Sequence, residues 1–164
     1  MNQRIEDLMR PHGRDLTEQE LITVATQIAS VPELWTECVS HDPEHRTYEE
    51  LLRDEHLDVW LLCWSRDHDT GFHDHDESVA AIAVISGHVR EDRLRPGKSP
   101  RSRVLGAGTI FTLPSVAIHR VLHAGEVPAV TIHAYSPPLT RTGAYRIGPD
   151  GELERELLSC EEEL

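Results

Sequence analysis

The sequence predicts an all-β core, a sandwich, barrel or jelly roll, carrying a layer of helices at its N-terminal end. Three observations lead there. From Leu57 onward, short apolar or alternating runs recur at regular spacing, turn residues separate them, and no pattern between them is long enough for a crossover helix. Together these features disfavour a parallel sheet and favour antiparallel strands. Helical patterning is confined to the first third of the chain.

In that first third, Thr17 followed by Glu20 forms a capping box, and Leu21, Val24, Ala25 and Ile28 fall on one helical face. Ser30-Val31-Pro32 interrupts the helix and restarts a short one through Trp35 and Val39. Thr47 and Glu50 repeat the capping-box spacing ahead of Leu51 and Leu52, so residues 1–55 read as a helical layer. Strands are expected at 57–64, 79–86, 88–94, 102–105, 109–113, 117–122, 129–135 and 144–147. They are punctuated by Gly87, Pro96-Gly97, residues 106–108, Gly125 and Pro137-Pro138. Residues 56–150 thus form the barrel, and 151–164 an acidic, weakly patterned peripheral tail. The 164 residues fit a single domain.

The formal charge is −13, from 29 acidic and 16 basic residues, which argues against nucleic acid or an anionic membrane as partner. The longest apolar stretch, 79–85, is too short to cross a bilayer, and the first ten residues lack a secretory apolar region. A cytoplasmic protein acting on a small molecule is expected. Cys38, Cys63 and Cys160 are odd in number and form no C-x-x-C pair, so neither a disulfide framework nor a zinc ribbon is indicated. Oligomeric state is left open, a monomer being compatible with the sequence.

Histidine is the outlier, with 11 copies. In Phe72-His73-Asp74-His75-Asp76 the two histidines stand at i and i+2, which an extended strand turns to one face, within reach of one ion. The surrounding spacing resembles the two motifs of cupin barrels. His73 and His75 are followed by Gly87 at the expected distance, with Ala80 where a ligand glutamate would stand. Gly108, Pro114 and His119 keep the spacing of the second motif, while Val116 replaces a glycine and His123 an asparagine. The resemblance implies a cupin or jelly-roll β-barrel with a metal on His73, His75 and His119. Three neutral imidazoles leave the charge of a divalent ion uncompensated, favouring an anionic ligand such as a thiolate. Iron and zinc both accept such a set, zinc being suited to hydrolysis or hydration.

More specifically, residues 47–145 resemble the cysteine dioxygenase family of thiol dioxygenases. The resemblance rests on Leu62-Cys63-Trp64, His73-Asp74-His75, Ile118-His119-Arg120-Val121 and the run from Pro128 to Pro138. That family has a Ser-His-Tyr relay at alternate positions of one strand, and Thr131, His133 and Tyr135 occupy it here, threonine retaining the hydroxyl. The resemblance implies Fe(2+) as cofactor, a small thiol and O₂ as substrates, and a sulfinate product, with Tyr135 hydrogen-bonding to a bound ligand.

Three departures bear on that implication. Animal members crosslink the relay tyrosine to a cysteine, and the matching position is Ala80, so Tyr135 is expected to be a free phenol. The family's carboxylate-binding arginine, two residues after a tyrosine, aligns with Glu50 after Tyr48. Glu50 could receive an ammonium or serve only as a helix cap, and Arg53 could supply the positive charge instead. Cysteine, cysteamine and other small thiols stay open as substrates. His123 is expected to face solvent near Gly125 rather than line the pocket. A cupin metalloenzyme with other chemistry, or a non-catalytic binding cupin, are the competing readings.

Overall fold

The seven residues of one strand, Asp58–Trp64, are all buried, and so are the eight of another, Ala129–Ser136. Burial on both faces explains why these segments read as continuous apolar runs rather than alternating ones. The computed structural model describes residues 8, 10–95, 97–150 and 152–159, and it is mostly β. In chain order the strands are β1 (Thr47–Arg53), β2 (Asp58–Trp64), β3 (Phe72–Asp74), β4 (Val79–Ser86), β5 (His88–Arg95) and β6 (Lys98–Gly106). They continue with β7 (Ile110–Leu113), β8 (His119–Ala124), β9 (Ala129–Ser136), β10 (Arg141–Ile147) and β11 (Leu153–Ser159). One sheet runs β1-β2-β9-β4-β7, the other β11-β10-β3-β8-β5-β6, and all strand pairings are antiparallel.

An α-helix, α1 (Glu18–Ala29), begins at the expected capping box. The Thr17 amide donates to Glu20 Oε2 at 2.8 Å, and the Glu20 amide to Thr17 Oγ1 at 3.4 Å. Its apolar face, Leu21, Val24, Ala25 and Ile28, packs on the outer face of the five-stranded sheet, against Leu57, Val59, Leu61, Ala81, Ala83, Val130, Ile132 and Ala134. The alternate residues Trp60, Leu62, Trp64, Ala80, Ile82, Val84, Ala129 and Tyr135 point between the sheets and meet Val89, Leu105 and Val121 there. Among the described residues, no helix is long and apolar enough to cross a membrane.

The helical layer is thinner than its sequence pattern implies. After Val31 the chain makes only two 3₁₀ turns, Pro32–Leu34 and Thr36–Cys38. Residues 47–53, patterned as a helix start, form β1 instead, paired with β2 from Thr47↔Cys63 to Arg53↔Asp58, with a bulge between Glu50 and Leu52. Thr47 Oγ1 donates to the Ser40 carbonyl rather than capping an amide. The buried outer edge of β2 needs backbone partners, and satisfying that ladder outweighs a local capping preference. The acidic tail likewise contains a strand, β11, which pairs along β10 from Arg141↔Ser159 to Ile147↔Leu153. Gly87, at the β4–β5 turn, has φ +66°, and a side chain there would collide with the Pro128 carbonyl.

Candidate metal centre

Strand β3 and strand β8 pair at a single register position, His73↔His119, and His75 follows two residues after His73. The three imidazoles therefore converge between the sheets, with ring centroids 4.4 Å (His73–His119), 5.0 Å (His75–His119) and 5.2 Å (His73–His75) apart. One ligand atom from each lies within 4.8 Å of the others, and all three residues are buried. Burial pushes His73 down to about 4, and His75 and His119 well below the usual histidine value. All three are neutral at pH 7, so their lone pairs are available.

The proton position of His73 fits a metal ligand. His73 Nδ1 donates to the Gly71 carbonyl at 3.1 Å, which leaves its Nε2 as the acceptor nitrogen. His75 Nε2 and His119 Nε2 stand 3.3 Å apart, close to the spacing of two nitrogens that each sit about 2.1 Å from a shared ion. This is a donor set of three neutral nitrogens on one side of a cavity. Among the described residues no carboxylate joins it: the barrel position opposite Tyr135 is Ala80, and Glu91 Oε1 lies 3.9 Å from the Nδ1 side of His119.

Asp74, between the two histidines, faces the other way and is clamped. Arg155 on β11 donates from Nε to Oδ2 and from an Nη to Oδ1, both at 2.8 Å, and the Tyr145 hydroxyl on β10 donates to Oδ2 at 2.5 Å. These partners hold the Asp74 carboxyl well below the usual carboxylate range. Arg155 reaches Asp74 by crossing Gly143, where a methyl group would collide with the guanidinium. It also meets Asp76 at 3.1 Å, with Arg141 2.9 Å from the same carboxylate. The tail strand, read from sequence as peripheral, thus fixes the backbone that carries His73 and His75.

The opposite wall is β9, where Thr131, His133 and Tyr135 share one face as their spacing predicts. Thr131 Oγ1 lies 2.8 Å from His133 Nε2, and His133 Nδ1 lies 3.0 Å from the Tyr135 hydroxyl. The chain is one member longer than the sequence indicates, because Trp64 Nε1 donates to Thr131 Oγ1 at 2.8 Å. An indole can only donate. Thr131 therefore accepts from Trp64, and His133 bridges the Thr131 and Tyr135 hydroxyls through its two ring nitrogens. Burial keeps His133 neutral, down to about 3. The Tyr135 ring lies edge-on to His75, centroids 5.0 Å apart, so its hydroxyl group stands beside the three imidazoles.

The cavity between these walls has a volume of about 20 Å³ and is completed by Leu62, Thr70, Val121, Leu139, Thr142 and Arg46. Tyr48, Glu50 and Arg53 are not in its lining. Tyr48 packs edge-on against Trp60 at 5.9 Å and is 39% exposed. Glu50 pairs with Arg53 at 3.2 Å, and Arg53 also approaches buried Asp58 at 3.4 Å. Burial raises the Asp58 carboxyl to about 6. Arg53 lines a neighbouring cleft of about 390 Å³ that shares His75 with the first. His123, half-buried, lies 2.8 Å from the Val127 carbonyl, away from the imidazole cluster. Two contributors to the site, Trp64 and Arg46, escaped sequence reasoning. The available signal was the alternation of β1 and β2 continued one step further, which sets residue 46 on the face of 48 and 50.

The family model for cysteine dioxygenase type I matches residues 1–147. Cysteine dioxygenase type 1 of Danio rerio is 27% identical over 152 residues, covering 82% of this chain and 75% of that protein. The Homo sapiens protein of the same name is 24% identical over 144 residues, covering 81% and 72%. Among solved structures, a Klebsiella pneumoniae protein with a double-stranded β-helix domain superposes with a TM-score of 0.56 at 16% identity, covering 76% of this chain and 88% of that one. A Thermus thermophilus protein, TT1209, gives 0.55 at 18% identity, covering 62% and 92%. At these identities the solved structures speak for the barrel fold alone.

Proposed function

Because the chain belongs to the cysteine dioxygenase type I family, we propose that it is an iron-dependent thiol dioxygenase that adds both atoms of O₂ to the sulfur of a small thiol, giving a sulfinate. One observation carries this reading: three neutral imidazoles on one sheet face a hydrogen-bonded tyrosine on the other across a single buried cavity. A ferrous ion on His73, His75 and His119 would supply the redox chemistry that joins O₂ to sulfur.

The chain's own residues perform the remaining tasks. With three neutral ligands and no carboxylate among them, Glu91 near His119 being paired with Arg93 and Arg103, the site attracts an anionic thiolate. The Tyr135 hydroxyl is held by His133 at the cavity wall, where it can hydrogen-bond to a bound thiolate or oxygen. Thr131 and Trp64 position that histidine. Ala80, directly opposite Tyr135 in the β4–β9 ladder, offers no thiol that could crosslink to the tyrosine. Leu62, Val121 and Leu139 keep bulk water from the reacting groups. A cytoplasmic setting accords with this chemistry, since small thiols are kept reduced there.

The test is metal analysis of the purified protein, followed by reconstitution with ferrous iron or zinc. Each form is then incubated with cysteine, cysteamine and 3-mercaptopropionate while oxygen uptake and sulfinate are measured. Oxygen uptake matched by sulfinate is expected with iron alone. Full activity with zinc, or a product altered at carbon rather than sulfur, would overturn the reading.

A further inference from the structure

We infer that Glu91 is a positioning residue for the metal centre: it fixes the proton of His119 on Nδ1 and so presents the Nε2 lone pair to the ion. The inference rests on the three-imidazole metal site of the reading above and is independent of the substrate that site oxidises.

Strands β5 and β8 pair with Arg93↔His119 and Glu91↔Val121, so the two-residue period sets Glu91 and Arg93 on the face that carries His119. Glu91 is buried, yet it does not line the imidazole cavity and stands on the far side of the His119 ring. His119 Nδ1 is buried with no hydrogen-bond partner among the described residues, and Glu91 Oε1 lies 3.9 Å from it. The other nitrogen, Nε2, is the one 3.3 Å from His75 Nε2. The carboxylate is held in place. Arg93 donates to Oε1 from Nε at 3.1 Å and from an Nη at 2.8 Å, and Arg103 donates from Nε to Oε2. The guanidiniums are anchored in turn, Arg93 on the Thr112 carbonyl at 3.2 Å and Arg103 over the Phe111 ring, 4.9 Å from its centroid.

At 3.9 Å the contact is longer than a hydrogen bond, so it works through charge. An N–H at Nδ1 faces the carboxylate favourably. A proton on Nε2 instead turns the Nδ1 lone pair toward the carboxylate and an N–H toward the other imidazoles, and away from water both contacts are costly. The carboxylate therefore selects the tautomer that can ligate. His73 reaches the same end by another route, its Nδ1 donating to the Gly71 carbonyl at 3.1 Å. Arg93 places both of its donors on Oε1, the oxygen turned to His119, and Arg103 engages Oε2. The part Glu91 plays in its ion-pair cluster is thus separable from its effect on His119.

The test reads the His119 tautomer in the metal-free full chain by long-range nitrogen NMR of the histidine rings. Ferrous affinity is measured by anaerobic competition with a chelator, and stability by chemical denaturation. Wild-type His119 is expected to carry its proton on Nδ1. Glu91→Gln should shift that proton toward Nε2 and weaken ferrous binding about 10- to 100-fold, the loss that follows removal of a partner behind a metal-ligating histidine. Glu91→Asp, which keeps the charge, should recover part of both. Arg103→Gln opens the same cluster from its Oε2 side and should lower stability without moving the tautomer. A wild-type proton on Nε2, or equal losses of ferrous affinity in Arg103→Gln and Glu91→Gln, overturns the assignment, and the wild-type tautomer decides even where a variant folds poorly. Iron binding that depends on Glu91 with no thiol oxidised would defeat the dioxygenase reading alone. Thiol oxidation with ferrous affinity unmoved by Glu91→Gln would defeat the positioning role alone.

Discussion

Two cavities share His75, and they differ in everything else. The smaller, about 20 Å³, is walled by neutral imidazoles, a tyrosine and aliphatic side chains, with one guanidinium where it opens. The larger, about 390 Å³, is lined by Arg53, Asp54, Glu55, Asp76, Glu77 and Arg141, an acidic set in which some charges are paired, as Asp76 is with Arg141 at 2.9 Å. The roomier cleft has more ionisable groups and the weaker case for chemistry. Burial is what separates the two. It keeps the imidazoles of the small cavity neutral, with lone pairs directed at a common point, while solvent and mutual pairing quench the charges of the large one.

The comparison breaks most directly at the imidazoles. His73→Ala or His119→Ala should abolish both iron retention, read by elemental analysis, and thiol oxidation; retained iron in either variant would move the metal elsewhere. Tyr135→Phe should keep full iron content and slow turnover on the order of 100-fold, the effect of removing one donor aimed at developing charge. Unchanged turnover would reduce the relay to packing.

Arg155→Ala leaves Asp74 buried without its principal partner and should lower stability by about 1–3 kcal/mol, read from chemical denaturation, with weaker iron binding alongside. Gly143→Ala should produce the same direction of change by displacing the Arg155 guanidinium. Wild-type iron affinity in both variants would show that the tail strand does not steady the ligand pair. The smallest effect belongs to the large cleft's side of the molecule. Glu50→Gln removes an exposed ion pair with Arg53 and should change stability by about 0–1 kcal/mol, with iron content and thiol preference unaltered. A reversed thiol preference in this variant would reinstate Glu50 as an ammonium site.

Much of the barrel was legible because strand signals are local. The 79–86 run appears as β4 with the same bounds, and 129–135 appears within β9 (Ala129–Ser136). Expected strand 117–122 is displaced to His119–Ala124, because residues 114–117 close a turn, with the Ala117 amide donating to the Pro114 carbonyl at 2.9 Å. Thr47 and Glu50 misled because a capping box states only a local preference, and the same residues complete a ladder when an unpaired strand edge lies beside them.

The sequence by itself determined that His73 and His75 share a face and which β9 residues line up. His73 and His75, like Thr131, His133 and Tyr135, are related by the two-residue period of a strand, so each set shares a face wherever that strand is placed. Only the tertiary structure decided that the two sets face each other across one cavity, that Trp64 heads the relay, that Arg155 steadies Asp74 from the far edge of the second sheet, and that Arg46 rather than Glu50 or Arg53 borders the imidazoles. Those relations depend on which strands pair and on which sheet covers which, long-range choices made by burial and backbone hydrogen bonding that no local spacing encodes.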